Sequence, residues 1–110
     1  MMIRAETPQA LSESLVEVFP QFRDEWEEDE TWESFHHVLG MFTPFFGGHA
    51  QTLTKKQLTM LAEFVNQAVL RDDDIENAVS TCFLEHLHQI DPGKVMRPYL
   101  SKEAKRKMHA

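Results

Sequence analysis

The chain has 110 residues, 42% of them hydrophobic and 26% charged, with a formal net charge of -7. That length supports one domain with one core over residues 1–110, and the composition excludes wholesale disorder. The acidity disfavours nucleic acid and anionic membranes, which are bound by neutralising phosphates with Lys and Arg.

The first helix is signalled by Thr7 as N-cap and Pro8 at the first helical position, with Leu11, Leu15, Val18 and Phe19 at helical spacing. Pro20 is expected to end it. Phe22 and Trp26, four apart, predict a short second helix over Gln21 to Glu28. A third is expected from about Trp32, with Trp32, Phe35, Leu39, Phe42 and Phe46 on one side, a bend near Gly40 and Pro44, and a stop at Gly47 and Gly48.

Thr54 and Gln57 have the spacing of a capping box, opening a helix whose inner face is Leu58, Leu61, Ala62, Val65, Ala68 and Val69. Asp73 and Glu76 repeat the signal, and Asp72, Asp73 and Asp74 suit a positive dipole end. The stripe of this next helix is Ile75, Val79, Cys82, Phe83, His86 and Ile90. Pro92 and Gly93 break the chain, Pro98 breaks it again, and Ser101 is placed to cap a short basic terminal helix. No period-2 strand pattern is present, so the fold class is all-α, a compact bundle of about four to six helices.

One cysteine, Cys82, excludes an internal disulfide, and the N-terminal stretch lacks the apolar core of a signal peptide. No segment reaches the roughly 20 apolar residues of a membrane span, so the expected location is the cytoplasm.

Two Glu-x-x-His pairs, Glu33 with His36 and Glu85 with His88, have the spacing that carboxylate-bridged di-iron bundles use, and Glu17 and Glu63 are nominees for the remaining ligands. Helical phase argues against them. At roughly 100° per residue, Glu33 lies about 150° from the centre of its stripe and His36 on the margin, while Glu85 and His88 point outward from theirs. A surface zinc site on His36, His37 or His88 is the weaker form of the same idea. No metal, cofactor or catalytic residue is therefore assigned. The same phase puts His86 in the core, hydrogen-bonded to a neighbour. Beside Cys82 it forms a thiol and base pair by spacing, but a catalytic pair also needs substrate access and an orienting group.

Residues 23–33 carry Asp24, Glu25, Glu27, Glu28, Asp29, Glu30 and Glu33 against Arg23 alone. A solvated helix face is the plainer account of such a run. Like charges so crowded repel, however, and tolerating that cost makes sense where the patch meets cations. The basic residues Lys94, Arg97, Lys102, Lys105, Arg106 and Lys107 are one source, folding back or pairing between two copies. A basic partner protein such as a toxin is another, with Trp26 or Trp32 as the central anchor.

The stretches DDIENAVSTCFLEHLHQI and MRPYLSKEAKRKMHA, with VEVFPQF and LGMF, resemble a family of short, uncharacterised bacterial helical proteins known only as a domain of unknown function. The resemblance implies a bacterial, intracellular, all-α protein and assigns no activity. Size, acidity and aromatic content are also similar in class to bacterial immunity proteins.

The sequence thus points to a non-enzymatic interaction module of the immunity or antitoxin type. Its expected partner-binding residues are Trp26, Glu27, Glu28, Asp29, Glu30, Trp32 and Glu33, and the partner is a basic protein. The alternative is a small bundle binding a metal ion or an apolar ligand between the helices of Phe35 and His86. A homodimer burying its own apolar surface is the third possibility.

Overall fold

Five of the helices start where a short polar side chain, Thr7, Ser34, Thr54, Asp73 or Ser101, takes up a free backbone N–H group. The computed structural model describes residues 3–71, 73–88 and 93–108, so Asp72, Ile90 and Pro92 lie outside the described residues, as does the side chain of His88. Helix α1, Pro8–Val18, is capped by the Thr7 hydroxyl, which accepts from the Ala10 N–H at 3.0 Å. Ahead of it, Arg4 is held by Ser14: the Arg4 N–H donates to the hydroxyl at 2.9 Å, and the hydroxyl donates to the Arg4 carbonyl at 3.2 Å. That pairing seats Ile3 in the core.

Pro20 ends α1 and also opens the next element, because proline is well suited to a first helical position. That element is a 3-10 turn, Pro20–Glu25, and not the helix expected through Glu28. Helix α2 then begins later than its stripe suggests. It spans Phe35–His49, with the Ser34 hydroxyl accepting from the His37 N–H at 3.0 Å. Gly47 and Gly48 do not stop it, and neither glycine takes a positive φ. The helix continues into a 3-10 turn, Ala50–Thr52, where the Thr52 hydroxyl donates to the His49 carbonyl at 2.8 Å.

Helix α3, Lys55–Ala68, has the full capping box of Thr54 and Gln57, and Gln57 also donates through Nε2 to the Val18 carbonyl at 2.8 Å. One cap side chain thereby fixes α3 against the end of α1. The next helical run has three parts: α4, Asp74–Ala78, a π turn, Val79–Leu84, and α5, Glu85–His88. Asp73 caps it, accepting from Ile75 and Glu76. Then come α6, Gly93–Met96, a 3-10 turn, Arg97–Tyr99, and α7, Lys102–Met108. Ser101 caps α7 through the Ala104 N–H, and Asn66 of α3 ties the junction down, accepting from the Ser101 N–H at 2.8 Å and donating to the Tyr99 carbonyl.

The fold is all-α, with no strand among the described residues and seven α-helical pieces in place of four to six. The extra pieces come from the π turn and from the breaks near the C-terminus. One continuous core includes Leu11, Leu15, Phe19, Phe22, Phe42, Phe46, Leu61, Phe83 and Leu87, with Ala104 and Met108 closing it from α7. No helix of the described residues is long and apolar enough to cross a membrane.

The π turn corrects one residue in particular. Ile75, Val79, Phe83 and Leu87 are buried in successive steps of four, and His86 is exposed. In an α-helix each step of four overshoots a full turn by about 40°, so a stripe of three such steps drifts round the helix. The wider π turn absorbs the drift and carries Leu87 inward in place of His86. Cys82 is half-buried, and its sulfur lies 3.7 Å from the Thr81 hydroxyl.

Candidate functional site

Residues 26–34, between the 3-10 turn and α2, contain Glu27, Glu28, Asp29, Glu30 and Glu33 of the acidic run, and Asp24 and Glu25 close the 3-10 turn before them. Residues 26–34 are not a helix face. The Glu30 N–H donates to the Glu27 carbonyl at 3.1 Å, and the Glu30 carboxylate accepts the Glu27 N–H at 3.2 Å, closing a tight turn with Glu28 and Asp29 at its tip. Leaving the helix relieves the three- and four-residue repulsions that this many carboxylates would impose on one.

Asp24, Glu25, Glu27, Glu28, Asp29 and Glu33 are exposed. Among the described residues none of these six makes an ion pair; Glu30 alone does, with Oε2 3.4 Å from Nε2 of His37. The carboxylates therefore contribute little attraction to the fold, and mutual repulsion is what they add.

The indoles lie inside and not outside, contrary to the expectation for this segment. Trp32 is 9% exposed and Trp26 is half-buried against the core. Their rings meet edge to face at 5.0 Å, and Phe22 packs on both. Aromatic pairs of this kind add attraction beyond the area they bury. His37 lies on Trp32 with ring centroids 4.8 Å apart, and the Arg23 guanidinium sits 4.9 Å over Trp26. The Nε1 atoms of both indoles are buried without a hydrogen-bond partner. The acidic turn thus rests on an aromatic floor that joins it to α2.

Of the residues expected to bind a partner, Glu27, Glu28, Asp29 and Glu33 reach solvent, Glu30 is engaged with His37, and Trp26 and Trp32 support from below. Two features of the floor escape a reading of the sequence. Ser34 is a cap signal that moves the helix start, and His37 ties the turn to the helix.

The basic C-terminal residues are used elsewhere. Lys107 pairs with Glu76 of α4 at 2.9 Å, with the Ser80 hydroxyl donating to the same carboxylate oxygen at 3.1 Å, and Arg106 pairs with Glu103. Glu33 and His36 are both exposed, and His36 instead pairs with Asn77 at 2.8 Å. Among the described residues no three of His, Cys, Asp and Glu come together as a metal site would require. Phe35 lines an open cavity of about 560 Å3 with Ile3 and Ile75, adjoining a second of about 290 Å3 against Met60 and Phe64. Neither includes His86.

A protein-family model matches residues 12–110, and it is a domain of unknown function. No curated protein and no solved structure matches the chain.

Proposed function

The chain belongs to that family, Domain of unknown function (DUF7674), and we propose that it is a non-enzymatic interaction module of the immunity or antitoxin type. In this proposal the acidic turn docks a basic protein partner in the cytoplasm. The supporting observation is that six exposed carboxylates within residues 24–33 make no ion pair among the described residues, on a turn anchored from below by Phe22, Trp26, Trp32 and His37. A partner's Lys and Arg side chains would find the negative charge already in place, so little ordering cost would fall on binding. Dense charge of one sign also speeds encounter with a cationic surface.

The indoles enter this proposal as rigid backing and not as a protruding anchor. Affinity capture from the native cell at low salt, comparing wild type with Glu27→Gln/Glu28→Gln/Asp29→Asn, tests it. The expected result is a basic protein retained by wild type and lost from the variant. Equal retention of that protein by both would remove the proposal.

A second reading, an apolar ligand beside Phe35, is favoured by the two adjoining cavities that share Ile3, Ala5, Arg71 and Ile75. A solvatochromic apolar dye that binds the folded protein and is displaced in Phe35→Glu would support it; no binding would dispose of it.

A further inference from the structure

We propose that the groove beside Phe35 is the apolar half of the docking surface. It takes a bulky apolar side chain of the basic partner, while Lys or Arg residues flanking that side chain meet the groove's acidic rim. The proposal rests on the docking reading for the kind of partner, and on the groove's own geometry for the chemistry it recognises.

Charge alone gives fast encounter and little grip, and stable interfaces place an apolar centre inside a charged rim. The acidic turn offers no such centre, because both of its indoles pack against the core. An apolar concavity begins at Phe35, two residues beyond the exposed Glu33. It lies between the start of α2, the N-terminal segment and the junction of α3 with α4, and it adjoins the opening against Met60 and Phe64 on α3. Phe35, Met60 and Phe64 are half-buried around the buried Ile3 and Ile75. At about 560 Å3 the part beside Phe35 has room for a Leu, Met or Phe side chain.

The rim selects the sign of what enters. Both arginines at the groove face carboxylates of this chain. Arg71 lies on Asp73, with Nε at 2.8 Å and a terminal guanidinium nitrogen at 2.7 Å, and Arg4 is 3.8 Å from Glu17. Glu6, Glu63 and Asp74 are exposed on the same rim and make no ion pair among the described residues. A cation beside the apolar group is therefore attracted, whereas a fatty acid or another apolar anion is repelled. These carboxylates continue the field of the acidic turn from residues 27–33 across to α3. Several cations on one polypeptide can match that spread, and a single small amine cannot.

The test titrates the purified protein at low salt with three model peptides, followed by backbone amide NMR. They are Lys-Lys-Leu-Phe-Lys-Lys, the equally charged Lys-Lys-Ser-Ser-Lys-Lys and the acidic Glu-Glu-Leu-Phe-Glu-Glu. The first is expected to shift the amides of Ile3, Phe35 and Ile75 and to bind roughly tenfold or more tightly than the second, which lacks the apolar side chains. The third should not bind. Glu6→Gln/Glu63→Gln/Asp74→Asn, all at exposed positions, should weaken the first peptide roughly threefold or more, and Phe35→Ser should remove the shifts at the groove. Equal binding of the first two peptides, acidic peptide bound as tightly as basic, shifts confined to residues outside the groove, or no binding at millimolar peptide would each overturn the proposal. So would octylamine binding there as tightly as the first peptide, since the site would then serve a small amine. Should Phe35→Ser lose its helical circular dichroism, the rim variant carries the comparison. A native partner lost from the turn variant Glu27→Gln/Glu28→Gln/Asp29→Asn but fully retained by Phe35→Ser would remove the groove and leave the docking turn standing. Groove shifts that persist in the turn variant would support the groove even where the turn captures nothing.

Discussion

The Thr43 hydroxyl on α2 lies 2.6 Å from the Cys82 carbonyl, inside the π turn, and 2.7 Å from the carbonyl of Leu39 in its own helix. A π turn loosens the local carbonyl ladder, and here a buried side chain from the neighbouring helix takes up the slack. Thr43→Val keeps the shape and removes the donor. The expected cost is about 1–3 kcal/mol, that of leaving a part-buried acceptor unpaired, measured by urea unfolding. A change within about 0.5 kcal/mol would show that the Cys82 carbonyl finds another donor without loss.

The aromatic floor gives a graded prediction. Trp32→Ala removes most of a buried ring and is expected to cost about 3–5 kcal/mol. Trp32→Phe should cost far less, near ~1 kcal/mol, because the Nε1 it deletes has no hydrogen-bond partner. Equal losses in the two variants, measured by thermal or urea denaturation, would mean that the indole N–H matters more than the ring.

Asp73 sets a pH dependence at the start of α4. The Arg71 guanidinium, by hydrogen bond, holds its carboxyl below the usual carboxylate range, and the backbone N–H groups of Glu76 and Ile75 act in the same direction. A carboxylate lowered in the folded state stabilises above its unfolded value, near ~3.9, and that contribution is lost as pH falls through the lowered one. The stability difference between wild type and Asp73→Asn should therefore shrink as pH falls below about 4, since Asn caps without charge. A difference that stays constant with pH would contradict this.

Ser14 holds the segment ahead of α1. Ser14→Ala removes both hydrogen bonds to Arg4, and the expected cost is about 1–2 kcal/mol with loss of exchange protection at Arg4. Since the family match begins at residue 12, this also asks whether residues 3–6 are part of the stable fold. An Ala variant as stable as wild type would show that they are dispensable.

Where a residue's role depends on its near neighbours, the sequence is legible. Thr7, Thr54, Asp73 and Ser101 cap as expected because a cap needs only the next three residues, and the inner face of α3 is the expected Leu58, Leu61, Ala62, Val65, Ala68 and Val69. A constant 100° per residue misplaces His86 because it cannot register a π turn, although the i+4 run of Ile75, Val79, Phe83 and Leu87 carries the hint. The acidic segment departs from helical expectation for a related reason. Trp26 and Trp32 fit helical stripes, but carboxylate repulsion and the Ser34 cap favour a turn between them. The link from Glu30 to His37 then depends on how that turn folds back, which no local pattern specifies. Membership in a domain of unknown function agrees with the resemblance seen in the helix around Cys82.

The docking proposal holds that the exposed carboxylates of the acidic turn, Glu27, Glu28 and Asp29 among them, serve a partner and not the fold. The most direct measurement pairs thermal stability with partner retention for Glu27→Gln/Glu28→Gln/Asp29→Asn. If the claim holds, the melting temperature is unchanged or higher, because repulsion is relieved, while the basic partner is lost and wild-type binding weakens steeply with salt. A variant that melts several degrees lower, or that keeps its partner at every salt concentration, would contradict it.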